Sequence, residues 1–296
     1  MKIKTTFFAL LTVVISSICA SDSYAQVSKH KKKHSTAAGT FFFYWGYNRS
    51  YYTKSNIRFV GSDYDFELKG VTAYDRPDTF SVRNYFSPDR LTVPQYNGRL
   101  GYYISDKWAV SLGVDHYKYV MADQNHVLLD GHIGENVHSS WAGNHSDEPV
   151  VTDIDTFHYE LTNGCNLIRF ELMRSFDLYE IGSKRQLALT GNIGLGTGPV
   201  LTFADLNFAR EHSFAKASLS GLHLSLNASL RLEFYKHFFV QMESALGYVN
   251  LPHVKTRVLD RNQFARQDFC FSSYYAAVGV LLYFRPRNGC DSCPTW

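Results

Sequence analysis

The amino-acid sequence predicts an all-β protein, a transmembrane antiparallel up-and-down β-barrel of eight strands, with ten as the alternative count. Three observations predict it. First, residues 221–234 alternate almost without error: Leu222, Leu224, Leu226, Ala228, Leu230, Leu232 and Phe234 against Gly221, His223, Ser225, Asn227, Ser229, Arg231 and Glu233. Successive strand side chains leave on opposite faces, so one face is apolar and the other polar and charged. The length suits a tilted strand crossing a bilayer, which needs about 9–11 residues. Second, the links between long strand candidates alternate between short and long, as they do where short periplasmic turns oppose long outer loops. Third, the chain opens with an export signal and has no later apolar run of the roughly 18 residues that a membrane helix needs.

The elements follow in order. Lys2 and Lys4, the apolar run from Phe7 to Ile15 and the small-residue site Ser23-Tyr24-Ala25 make residues 1–25 a signal peptide, leaving Gln26 as the new start. Ser16, Ser17 and Ile18 make a poor lipobox ahead of Cys19. Residues 26–38 are a basic periplasmic linker in which His30 and His34 read as solvated. Residues 39–284 are the barrel, with strands at 40–52, 95–105, 107–121, 165–178, 185–203, 219–235, 238–256 and 269–284. Short turns fall at 105–107, 179–184 and 235–237, and long links at 53–94, 122–164, 204–218 and 257–268. Ile57 to Lys69 is itself strand-like. It forms either an outside hairpin extending the first two strands or two further barrel strands. Residues 285–296 are a C-terminal tail.

Composition narrows the class. A net charge of +3 gives no footing for a nucleic-acid partner. The 20 Tyr and 22 Phe suit aromatic girdles at two membrane interfaces. Cys165, Cys270, Cys290 and Cys293 do not make a disulfide framework in a chain this long, and Cys290-Asp-Ser-Cys293 reads as a local disulfide or two incidental thiols. No cofactor is expected.

The alternation orients most strands. Trp108, Val110, Leu112 and Val114 oppose Ser111, Gly113 and Asp115. Leu187, Leu189, Ile193 and Leu195 oppose Gln186, Thr190, Asn192 and Gly194. Tyr274, Ala276, Val278, Val280, Leu282 and Phe284 oppose Ser273, Tyr275, Ala277, Gly279 and Tyr283. Strand 40–52 is apolar on both faces and stays unoriented. In a soluble lipocalin-like barrel the leucine face would line a cavity. In a membrane barrel it meets lipid, and the polar face becomes a lumen network of Arg99, Asp115, Arg169, Glu171, His223, Arg231, Glu233 and Glu243. The export signal, loop asymmetry and strand length favour the membrane barrel.

The stretches Trp45-Gly46-Tyr47-Asn48-Arg49, Tyr64-Asp65-Phe66-Glu67-Leu68-Lys69, Asn97-Gly98-Arg99-Leu100-Gly101-Tyr102-Tyr103 and Val114-Asp115-His116-Tyr117-Lys118-Tyr119-Val120 resemble those of an uncharacterised outer-membrane β-barrel family of Bacteroidota. In architecture the chain is also similar to small OmpA/OmpW-type barrels. The resemblance covers most of the mature chain. It implies location in the cell outer membrane and no catalytic residues. Such chains usually end on a Phe read by the barrel assembly machinery. Leu282-Tyr283-Phe284 has that character, but Arg285 to Trp296 follow it.

Few constellations suggest chemistry. His223-Leu224-Ser225 has the His-x-Ser form of an outer-membrane deacylase, with Glu233 or Glu243 to orient the base, but alternation points the pair into the lumen, away from acyl chains. His126, His132, His138, His145, Asp147, Glu148, Asp153 and Asp155 crowd the link 122–164 without a metal-ligand spacing, so it reads as a solvated loop and no metal is expected. Gly194-Leu195-Gly196-Thr197-Gly198 lacks a strand-to-helix context for phosphate and reads as strand glycines facing a crowded lumen. Lys118 and His116, at the outer interface, are candidates to touch lipopolysaccharide phosphates. The function expected is non-catalytic: envelope structure, adhesion, or binding of an extracellular ligand through 53–94 and 122–164. The first alternative is a narrow channel for small apolar solutes. The second is a lipid A or phospholipid acyl hydrolase. Outer-membrane lipid and lipopolysaccharide are the surrounding partners, and residues 125–150 are expected to be removable without loss of the fold.

Overall fold

The computed structural model describes residues 36, 38–79, 81–87, 89–90, 93–181, 186–208, 211–214, 217–258, 260 and 262–283. The signal peptide, nearly all of the basic linker, Phe284, the C-terminal tail and the Cys290–Cys293 pair lie outside the described residues.

The elements are β1 (Thr40–Tyr52), β2 (Ser55–Gly61), β3 (Tyr64–Val71), β4 (Ala73–Tyr74), α1 (Val82–Phe86), β5 (Tyr96–Ser105), β6 (Trp108–Met121), β7 (His126–Ile133) and β8 (Gly143–Val151). They continue with β9 (His158–Ile181), β10 (Leu187–Thr202), β11 (Asp205–Phe208), β12 (Glu211–Phe214), β13 (Ser218–Phe234), β14 (Phe238–Lys255) and β15 (Phe264–Tyr283). Eight of them close a ring in the order β1-β5-β6-β9-β10-β13-β14-β15, sealed by antiparallel pairing of β15 back onto β1 from Thr40↔Tyr283 to Tyr52↔Phe271. The ring therefore has eight strands and not ten. The sequence Ile57–Lys69 forms the outside hairpin β2–β3. It extends the last ring strand, pairing Phe264–Gln267 with Val60–Ile57, rather than the first two strands.

Side-chain polarity in the ring is inside-out. Leu222, Leu230, Met242 and Val278 are 55–69% exposed on the outer wall, while Arg99 and Arg231 inside are 1% and 0% exposed. On β13, ten residue steps separate Leu222 from Leu232. At about 3.4 Å per residue and a tilt of about 40° they rise about 25 Å, the height of an outer-membrane apolar band. A wall greasy outside and charged inside is unstable in water and stable in lipid. β1, unreadable from sequence, resolves the same way. Phe42, Tyr44, Asn48 and Ser50 are buried inside, while Phe43, Arg49 and Tyr51 are exposed outside.

Above this belt the polarity reverses. β2, β3, β7 and β8 continue the sheet from the start of β15, and β11 and β12 continue it from the start of β9. They enclose an apolar core in which Phe59, Phe66, Phe157 and Phe208 meet ring on ring at centroid distances of 5.1–6.0 Å. Ring strands cross the boundary and switch polarity along their own length. In β9 the inward residues are apolar at Tyr159, Leu161 and Leu167, then charged at Arg169 and Glu171.

This second storey corrects the sequence reading of the long links. The link 122–164 is not a solvated loop but two strands and the first residues of β9. Links 204–218 and 257–268 likewise hold β11, β12 and the start of β15. Their alternation is short and broken by turns, so it does not stand out as the membrane strands do. Residues 125–150 are not dispensable either, because Val127, Leu129, Ile133 and Trp141 lie buried in the aromatic core.

Candidate functional site

The lumen of the ring is filled in three layers. The periplasmic floor is apolar and aromatic, built from Phe42, Tyr103, Met173, Phe239 and Leu281. Tyr44 and Tyr275 join hydroxyls across it at 3.1 Å. The outer aromatic core is the ceiling. Between them lies a layer of charge.

Asp115 is the hub of that layer. Its two oxygens take Arg99 at 2.6 Å and Arg169 at 2.7 Å, and Asn97 donates to it at 2.5 Å. All three charged side chains are fully buried. Arg99 lies 3.6 Å from Glu171 and Arg169 lies 3.8 Å from Glu243. The Asn227 amide donates to both carboxylates, at 3.0 Å to Glu171 and 2.8 Å to Glu243. Gln241 donates to Glu243 and accepts from Arg231, each at 2.9 Å. The Arg231 guanidinium then stacks 4.3 Å and 5.0 Å over Phe239 and Phe42 of the floor. Burying charge this way is tolerable because each charged group faces an opposite charge or an amide, although Arg169, Arg99 Nε and Glu171 Oε2 are held by charge alone and make no hydrogen bond among the described residues. The layer is crowded against the neighbouring strand: a Cβ at Gly194 would press on the Glu171 carboxylate and stand 2.7 Å from the Asn227 Oδ1, so both side-chain ends would have to shift.

Six of the eight lumen residues read from sequence are thus linked: Arg99, Asp115, Arg169, Glu171, Arg231 and Glu243. Glu233 sits lower and accepts from Thr190 at 3.1 Å. His223 sits higher, its ring 3.2 Å from the Ile168 carbonyl. Sequence reasoning missed the uncharged linkers Asn97, Gln241 and, as a bridge, Asn227. Each occupies an inward position of the same alternation, which was the available signal.

The remaining candidates are dispersed. The Ser225 hydroxyl donates to the Gly196 carbonyl at 3.3 Å and is fully buried, so the His223-Leu224-Ser225 pair has no nucleophile–base contact and no access to lipid. In the outer storey His132 meets Asn144 at 2.9 Å, His145 meets Glu148 at 2.5 Å and the Trp141 carbonyl at 2.9 Å, and His138 stacks on Phe208. Asp147 pairs with Lys69 at 2.7 Å. Asp153 accepts from Gln124, and His126 stands on the outer surface. Asp155 and Glu148 are exposed. Among the described residues no group of three His, Cys, Asp or Glu is gathered to hold a metal ion. Cys165 is a buried free thiol, and Cys270 is half-buried on β15. Lys118 and His116 are not the open cationic pair that their positions suggested. Lys118 lies 2.6 Å from Asp78, and the His116 ring stacks 5.3 Å over Tyr96 and meets Asn166 at 2.7 Å. The link between β4 and β5 supplies Asp78 and folds down over that part of the wall.

No family model and no curated protein matches this chain by sequence. Among solved structures it is similar to Neisserial surface protein A at 10% identity, over 83% of this chain and 98% of that one, with a TM-score of 0.34. It is similar to the outer membrane protein OprG from Pseudomonas aeruginosa at 11% identity, over 84% and 98%, also at 0.34. The outer membrane protease OmpT from Escherichia coli gives 7% identity over 86% and 100%, at 0.34. With scores this low, it is this chain's own strand order and inside-out polarity that carry the barrel assignment.

Proposed function

We propose that the chain is an integral outer-membrane β-barrel with a sealed lumen and a non-catalytic role, holding a folded outer storey above the membrane for adhesion or binding of an external partner. The observation that carries the reading is the reversal of side-chain polarity between the two storeys. Lipid explains the lower wall, water explains the upper one, and no solvent-filled path is needed to explain either. The packed floor, charge layer and aromatic ceiling argue against a solute channel. The inward, carbonyl-bound Ser225 argues against acyl hydrolysis. What remains available to a partner is the outer surface of the second storey.

Three measurements test it. Folded protein in detergent should migrate faster on a gel unheated than boiled, and a chain that stays soluble without detergent refutes the membrane placement. Planar bilayers carrying the protein should stay electrically silent, and stepwise current refutes the sealed lumen. Cells displaying the chain should gain adhesion to a protein- or glycan-coated surface. No gain on any coating removes adhesion and leaves an envelope-structural role.

A further inference from the structure

The link between β4 and β5 leaves the barrel top and lies against the outside of the wall. Tyr85 of α1 packs edge-on against the outward Tyr47 of β1 at 4.8 Å, and the Tyr47 hydroxyl donates to the Tyr85 carbonyl. Arg49 donates to the Tyr85 hydroxyl at 3.2 Å. Ser81 caps the helix, accepting from the Asn84 amide at 3.1 Å. Having buried Tyr85, the helix turns Val82 and Phe86 away from the protein, 71% and 67% exposed. Two large apolar groups one helical turn apart form one face, and no described residue covers it.

The height of that face is fixed by the wall beneath. Up the outside of β1 the residues run Phe41, Phe43, Trp45, Tyr47, then Arg49. The apolar belt therefore ends at the level of Tyr47, where α1 is docked. Exposed Tyr274 stands in register with Arg49, just above that level, and exposed Tyr51 and Tyr74 stand higher on the same wall. The charge is one-sided as well. Asp78 is taken by Lys118, and Asp75 accepts from Gln95 and the Ser50 amide. Arg49, Arg83 and Arg90 pair with no carboxylate among the described residues. Arg49 donates to the Asn48 carbonyl and the Tyr85 hydroxyl, and Arg90 to Asn84. Asp89 is the one exposed acid on the flank.

Resting on the outer-membrane reading, we propose that this link is an interfacial collar. Val82 and Phe86 dip into the outer-leaflet headgroup layer, and Arg49, Arg83 and Arg90 bind the anionic phosphates of its lipid. Exposed apolar side chains set beside arginines at the top of the apolar belt suit the boundary between glycerol and phosphate of a leaflet. The site is continuous with the lipid-facing wall.

Depth-dependent quenching by brominated lipids tests it in full-length protein reconstituted in phosphatidylcholine vesicles with or without lipid A. The fluorescence that Phe86→Trp adds over the parent should be quenched by bromines near the headgroup and not by bromines at the chain end. Quenching should strengthen with lipid A and lose that increment in Arg83→Gln/Arg90→Gln. No quenching at any depth, as for Leu128→Trp on the outer storey, overturns the collar. Shallow quenching that ignores lipid A and the arginines overturns the phosphate assignment, as does equal strengthening by free inorganic phosphate. Leu226→Trp, on the lipid-facing wall, reports separately. If deep bromines do not quench it, the membrane reading itself fails.

Discussion

Replacing the hub of the lumen charge layer, Asp115→Asn, keeps the side chain's shape and removes its charge. Two buried guanidiniums, held now at 2.6 and 2.7 Å, lose their shared counter-ion. Removing one partner of a buried pair typically costs about 3–5 kcal/mol, because a charge is left uncompensated. Here each arginine keeps a second, longer carboxylate contact, Glu171 at 3.6 Å and Glu243 at 3.8 Å. The lower end, about 3 kcal/mol, is therefore expected, roughly a hundredfold in the unfolding constant. Urea unfolding in lipid vesicles, followed by the loss of fast gel mobility, reads it. The double variant Asp115→Asn/Arg169→Met removes one stranded cation and should recover a large part of the loss, so the two changes must be non-additive. A shift below about 0.5 kcal/mol for Asp115→Asn, or strict additivity in the double variant, refutes a mutually neutralised layer.

Leu226→Arg places a charge on the outer wall in mid-belt and should cost about 2–4 kcal/mol in the same assay; a neutral result would contradict the lipid-facing assignment. Phe157→Ala empties the centre of the outer aromatic core. It should loosen that storey by about 3–5 kcal/mol, seen as protease cleavage between β7 and β9 with gel mobility of the ring retained. Cleavage unchanged from wild type would mean that the storey has no cooperative core. In the outer storey, burial alone would lower the His145 pKa, but the contacts with Glu148 and the Trp141 carbonyl outweigh it and raise the value above 6.5. A raised histidine pKa stabilises the folded form below the unfolded value and loses that contribution as pH climbs through the folded one. Protection of β8 should therefore weaken as pH rises past 6.5 and become insensitive to pH in His145→Gln; an unchanged pH profile in that variant would exclude the pair.

The membrane storey was readable because lipid imposes one rule over long strands. Residues 221–234 obey it almost without error, and the charged lumen residues follow from counting alternate positions. Which residues touch is another matter. Asp115 and Arg169 meet across adjoining strands β6 and β9 far apart in sequence, and the amides of Asn97 and Gln241 carry no charge to mark them. Strand β1 gave no signal because Phe42 and Tyr44 build the floor while Phe43 and Trp45 build the wall, both apolar for different reasons. The outer storey was hidden for a physical cause. There Val127, Leu129 and Ile133 point inward as in any water-soluble sheet, so a search tuned to one polarity reads their strand as a loop.

The strand β8 closes the outer sheet on one side, and its far edge has no partner strand among the described residues. In a crowded membrane all copies stand upright at the same height. Free edges then meet repeatedly, and two such strands are prone to zip into a continuous sheet. This edge carries Pro149, which has no amide hydrogen to offer, and the adjacent acids Asp147 and Glu148, with Asp147 in a left-handed turn at φ 54°. Two copies approaching at this edge would miss a rung of the ladder at Pro149. The edge that would otherwise let one copy's outer sheet continue into the next is thus blunted by its own sequence.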